Sequence, residues 1–130
     1  MKTIFLIDDD PDDREIFAEL LQEEHPSIAY QEAENGAAAF EKLKSGSFKK
    51  PELIFLDLNM PVMDGRTFLL EIKKETSLLD IPIIIYSTSS SEIDKKFAQE
   101  NGAALFLTKQ YSMDLQRKDI NAAVSAFLGI

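Results

Sequence analysis

The stretch Leu53-Ile54-Phe55-Leu56-Asp57-Leu58-Asn59-Met60-Pro61-Val62-Met63-Asp64-Gly65 sets four apolar residues before a carboxylate, then a loop with a proline and a glycine. The apolar run is too short for a helix and reads as a buried strand. From about Gly65 the period changes, and Phe68, Leu69 and Ile72 fall on one helical face. The stretch is therefore strand, loop and helix, with Asp57 at the strand's carboxyl end.

The same unit recurs on both sides. Upstream, Ile4–Ile7 reads as a buried strand and Pro11 to about Glu24 as a helix, with Ile16, Phe17, Leu20 and Leu21 on one face. Asp10 suits the cap and Pro11 the first helical position, while Asp12 and Asp13 favour the positive end of the helix dipole. Ile28–Ala33 is a second strand; Asn35 caps a helix to about Lys44, with Phe40 and Leu43 inward and Gly46 after its end. Downstream, Ile81–Tyr86 reads as a strand with Pro82 near its start. Ser89-x-x-Glu92 has the spacing of a capping box for a helix to about Asn101, with Gly102 beyond it. Ala104–Leu107 makes a fifth strand, and Ser112 caps a last helix that buries Ile120, Val124, Phe127 and Leu128 and ends at Gly129.

Five β-α units with near-continuously apolar strands imply a parallel sheet covered by helices on both faces. Right-handed crossovers leave few topologies. The expected class is α/β, a flavodoxin-like (βα)5 three-layer sandwich whose five-stranded parallel sheet has the order 2-1-3-4-5. Its ligand site lies beyond the carboxyl ends of strands 1 and 3, where the order reverses.

Composition narrows the functions. The 130 residues carry 14 basic and 23 acidic side chains, a net charge of −9. That argues against nucleic-acid binding, which relies on Lys and Arg at phosphates. Cysteine is absent, which removes disulfides, thiolate metal sites and thiol nucleophiles and fits a cytoplasmic location. Apolar runs of four or five residues are far short of the about 20 that a membrane span needs, so no membrane association is expected.

Chemistry gathers at the strand ends. Strand 1 ends in Asp8-Asp9, strand 3 in Asp57 and strand 4 in Ser87, while Lys109 follows strand 5 after Thr108. In a parallel sheet these ends point one way and converge. Three carboxylates brought together need protons or a cation. Oxygen donors without His or Cys suit a hard cation, Mg²⁺ in particular. An Asp carboxylate can accept a phosphoryl group, and such transfer needs mainly positioning and charge neutralisation. The Lys109 ammonium and the Ser87 hydroxyl are suited to phosphoryl oxygens.

With these residues in place, the chain closely resembles the receiver domain of bacterial two-component response regulators, CheY-like, over essentially its whole length. The Asp57–Gly65 motif resembles the family's phosphoacceptor strand and loop. Leu6-Ile7-Asp8-Asp9-Asp10 resembles its acidic pair, and Ala33-Glu34-Asn35-Gly36 the start of its second helix. Ser87 and Lys109 stand at its Ser/Thr and lysine positions. The resemblance implies a single receiver domain over 1–130 with no output domain, acting as a signalling phosphoacceptor and not as an enzyme on other substrates.

It also implies roles. Asp57 would accept the phosphoryl group from a sensor histidine kinase or phosphotransfer protein. Asp9, Asp57 and the Asn59 main-chain carbonyl would hold Mg²⁺, with Asp8 acting through a metal-bound water. Ser87 and Phe106 would form the switch pair, and a downstream protein would be met by the face of helix 4, strand 5 and helix 5. One departure is Gln110, where the family usually has a proline joined to the lysine by a cis bond. A cis bond without proline costs about 2.5–4 kcal/mol, so either that cost is met or the loop runs trans and seats Lys109 differently.

Two rival readings share some residues. A haloacid-dehalogenase-like phosphohydrolase would use the Asp-x-Asp of residues 8–10 but needs a further acidic pair on a strand, and Asp114 and Asp119 fall in the last helix. A pseudo-receiver would keep the fold without phosphorylation, against which stands the intact set Asp8, Asp9, Asp57, Ser87 and Lys109.

Overall fold

The structure is a computed structural model that describes every residue except Ser47. Ten elements alternate along the chain: β1 (Thr3–Ile7), α1 (Pro11–Glu24), β2 (Ala29–Ala33), α2 (Gly36–Lys44), β3 (Leu53–Leu56), α3 (Gly65–Ile72), β4 (Ile83–Ser87), α4 (Glu92–Glu100), β5 (Leu105–Thr108) and α5 (Met113–Leu128). The strands form one parallel sheet in the order β2-β1-β3-β4-β5. This is the flavodoxin-like order expected from the sequence.

Residues alternate across the sheet, and the two faces bury different helices. Phe5, Ile7, Ile54, Leu56, Ile83 and Ile85 pack toward α2, α3 and Ala98 of α4. Ile4, Leu6, Leu53, Phe55, Ile84 and Tyr86 pack toward α1 and α5. The rings of Phe17 and Phe55 meet edge-on at 4.9 Å in the second layer. Every residue of β1 and β3 is buried, as the uninterrupted apolar runs required.

Caps set the helix starts. Asp10 accepts from the Asp12 N–H at 2.9 Å, Asn35 from Ala38 at 2.8 Å, and Ser112 from Leu115 at 3.4 Å. The capping box at Ser89 is not used. Ser91 caps α4, accepting from the Asp94 N–H at 3.4 Å, and Glu92 opens the helix instead of standing three residues inside it. Ser89 is drawn away because its hydroxyl donates to the Asp94 carboxylate at 2.7 Å.

Three strands start later than expected, β2 by one residue at Ala29. β4 begins at Ile83, because Pro82 has no N–H for the ladder; only its carbonyl takes part, accepting from Ile54 N at 3.1 Å. β5 begins one residue late and is half-exposed, since it is the sheet's edge and α4 buries only Ala98.

Candidate functional site

The carboxyl ends of β1, β3 and β4 form a floor of buried polar groups under an otherwise apolar sheet. Among the described residues, Asp8, Asp57 and Ser87 are three of the four buried polar ones, at 1%, 7% and 0% exposure. The ladder holds the first two in place: Asp8 N–H donates to the Ala33 carbonyl at 3.1 Å, and Asp57 N–H to that of Ile7 at 2.9 Å. Asp9 is exposed beside them. One carboxylate oxygen from each of Asp8, Asp9 and Asp57 lies within 4.8 Å of the others.

The charges are poorly balanced. Burial pushes the Asp57 carboxyl up to about 6; the Lys109 ammonium opposes that rise and the Asp8 carboxylate adds to it. Burial likewise raises Asp8, again against the pull of Lys109. A group of hard oxygen donors that resists ionising without a counter-charge fits a divalent cation. The loop after β3 adds one more constraint, as the Asn59 N–H donates to Asp57 Oδ1 at 3.3 Å.

Lys109 reaches this site across the whole length of the sequence. Its Nζ donates to Asp8 Oδ2 at 2.6 Å and to Asp13 Oδ2 at 2.8 Å, and stands 5.6 Å from the centroid of the Tyr86 ring. These partners hold the lysine charged by raising its pKa against the cost of burial. No cis peptide occurs among the described residues, so the Lys109-Gln110 bond is trans. The missing proline leaves the ammonium in the site. The Lys109 main-chain N–H donates to the Ser87 carbonyl at 2.7 Å, tying the two loops together.

Ser87 closes β4, and its Oγ accepts from the Ser89 N–H at 3.3 Å. Asp94 then gathers the loop that follows, accepting from Ser89 and, at 2.7 Å, from Arg66 of α3. Phe106 lies away from the carboxylates. It is half-buried on β5 beside Ala98 and Ala103, at a cavity of ≈ 280 Å³ between α4 and β5.

Two residues of the site were not legible as such. Asp13 reads as a dipole residue, yet it pairs with Lys109. Arg14 of α1 donates to the Asp8 carbonyl at 2.8 Å and to Glu32 Oε2 at 2.8 Å, bracing the end of β1. Neither contact follows from local spacing, because each joins α1 to another element. Asp114 and Asp119 lie on α5, so the phosphohydrolase reading lacks its acidic strand.

Comparison with known proteins agrees with this geometry. Residues 4–121 match the response regulator receiver domain. The response regulator Rcp1 of Synechocystis sp. is 34% identical over 86% of this chain and 79% of its own. The structure of the Mn²⁺-bound form of Rcp1 superposes with a TM-score of 0.88, covering 96% of this chain and 93% of that one at 30% identity. The phosphorylated cyanobacterial phytochrome response regulator RcpA gives 0.91, covering 98% and 94% at 28% identity. The sensor histidine kinase CheAY of Helicobacter pylori is 35% identical over 84% of this chain, which spans only 13% of that larger protein. No helix among the described residues is long and apolar enough to cross a membrane. A parallel sheet of order 2-1-3-4-5, a carboxylate cluster at its switch point and a sequence match over nearly all its length place the chain in one family: it is a response regulator receiver domain of two-component signalling.

Proposed function

We propose that Asp57 is the phosphoacceptor of this receiver domain and that the phosphoryl group comes from a phosphohistidine on a sensor histidine kinase or phosphotransfer protein. The observation that carries the proposal is the meeting of Asp8, Asp9 and Asp57 within 4.8 Å. The Lys109 ammonium stands beside them. Mg²⁺, held by Asp9, Asp57 and the Asn59 carbonyl with Asp8 acting through a water, would neutralise charge on the phosphoryl oxygens. That Rcp1 has a Mn²⁺-bound form supports divalent-ion binding by this chain.

An Asp57 carboxylate oxygen attacks phosphorus, the P–N bond breaks, and its electron pair leaves with the imidazole nitrogen. Asp57 must be ionised to do this, and the positive charge of Lys109 favours that form. Lys109 and the Ser87 hydroxyl then donate to phosphoryl oxygens. Ser87 moves toward the group, and the Phe106 ring turns inward into the space it leaves. The half-buried position of Phe106 beside an open cavity gives that ring somewhere to move from.

The chain thus acts as one switching domain in the cytoplasm, not as an enzyme on outside substrates. A downstream protein meets the face of α4, β5 and α5, where Ile93, Leu105, Tyr111, Met113 and Leu115 are exposed. Mass spectrometry of the intact protein after incubation with Mg²⁺ and acetyl phosphate tests the acceptor. One phosphoryl adduct, lost in Asp57→Ala, is expected; an adduct that survives the substitution removes Asp57 from the role. Absence of any adduct favours a pseudo-receiver.

A further inference from the structure

The Lys109 ammonium has three N–H donors. Two of them are committed to Asp8 Oδ2 at 2.6 Å and Asp13 Oδ2 at 2.8 Å. Among the described residues Lys109 makes no ion pair with Asp57, although its charge acts on that carboxyl. The lysine is thus held on the α1 side of the site. Asp8 is fully buried and Asp13 is a third exposed, at 1% and 35%. An arm that must reach a phosphoryl group on Asp57 is therefore anchored from the opposite side by a carboxylate that belongs to neither the acceptor nor the proposed cation seat.

We infer that Asp13 is a positioning residue that competes with the phosphoryl oxygens for the Lys109 ammonium and so lowers the domain's affinity for the phosphorylated state. The inference rests on the phosphoacceptor reading above. Its physical content is a partner exchange. In the resting domain a charge-assisted bond fixes a flexible four-carbon arm. When a dianionic group arrives on Asp57, the ammonium trades Asp13 for a phosphoryl oxygen while it remains beside Asp8. Because Asp13 is lost as a partner at that moment, its bond stabilises only the resting state, and a contact made in one state alone shifts the equilibrium between the two. The first-turn position of Asp13 gives it a second, local reason to exist, since a carboxylate there suits the helix dipole. Asp12 shares that turn and that benefit but makes no bond to Lys109 among the described residues, which makes it the natural control.

The test is the affinity of the full chain for beryllofluoride in the presence of Mg²⁺, measured for wild type, Asp13→Asn, Asp13→Ala and Asp12→Asn at one ionic strength, with thermal unfolding of each. Asp13→Asn should tighten binding roughly threefold to fivefold, the upper range of a part-exposed ion pair. Asp13→Ala should do the same, and Asp12→Asn should change it less than about twofold because a through-space field falls off and is screened. The Lys109 ammonium resonance of the resting protein should move in both Asp13 variants and stay in place in Asp12→Asn. Unchanged or weaker binding by the Asp13 variants overturns the inference, as does an equal gain in Asp12→Asn, which reduces the effect to net charge. Wild type that binds while Asp13→Asn shows no gain leaves the phosphoacceptor reading standing and removes only this one; wild type that fails to bind removes both.

Discussion

The α-carbon of Gly65 faces the main chain of Asp57 so closely that a Cβ there would lie 2.2 Å from the Asp57 carbonyl oxygen and 2.7 Å from the Leu58 Cα. The Gly65 N–H donates to the Leu58 carbonyl at 3.0 Å across the same contact. α3 thus starts directly against the backbone that carries Asp57. Backbone cannot yield as the tip of a side chain can. Gly65→Ala should therefore destabilise the fold by about 2 kcal/mol or more and displace Asp57. Urea denaturation checks the first, and loss of acetyl phosphate labelling in the folded fraction checks the second.

The buried carboxyl of Asp57 makes stability depend on pH. Its folded-state pKa is pushed up to about 6 from an ordinary value of 3.8, so the folded chain binds a proton that the unfolded chain has released. The stabilisation from that proton is full below pH 3.8 and is lost as pH rises through 6. In the presence of a chelator, Asp57→Asn should be more stable than wild type at pH 7.5 by on the order of 2 kcal/mol. The advantage should shrink as pH falls toward 4. Denaturation of both proteins across that range shows it, and equal stability at all pH values would mean that Asp57 is not desolvated.

A divalent ion should reverse the same penalty. Ligand that binds only the folded state stabilises by about 2.7 kcal/mol at a hundred times its dissociation constant. Mg²⁺ should therefore raise the thermal midpoint of wild type by several degrees and leave Asp57→Asn nearly unchanged. Differential scanning calorimetry with and without the ion distinguishes this from a general salt effect, which would move both alike.

Val62 carries a φ of 68°, the left-handed region that a β-branched side chain rarely adopts, and its side chain is 82% exposed. The loop between β3 and α3 imposes this geometry, because Gly36 N–H donates to the Met63 carbonyl at 3.0 Å one residue later. Val62→Asn and Val62→Gly should relieve about 1 kcal/mol of strain. A rise in the urea midpoint without change in slope is the expected readout.

Much of the fold was legible because single physical rules governed it. Four-residue apolar runs such as Ile4–Ile7 and Leu53–Leu56 have no place except between two helical layers, and the caps at Asp10, Asn35 and Ser112 act within three residues of themselves. The carboxylates of Asp8, Asp9 and Asp57 were legible because a parallel sheet sends all its carboxyl ends one way. What stayed hidden depends on contacts between distant elements. Ser89 has the spacing of a cap, but Asp94 captures its hydroxyl and Ser91 caps in its place. Ser91→Ala should accordingly cost about 1 kcal/mol. Asp13 could not be told from Asp12 by sequence, since only the packing of α1 beside the loop after β5 gives one of them the ammonium of Lys109.

A carboxylate cluster that seats a divalent ion should make Asp57 the residue that a phosphoryl donor labels. The most direct measurement is site mapping: incubate the protein with acetyl phosphate, with and without Mg²⁺, reduce the acyl phosphate with borohydride, and locate the resulting homoserine by peptide sequencing. Conversion is expected at position 57 alone and only when Mg²⁺ is present. Conversion at another aspartate, or equal conversion without the ion, would contradict it.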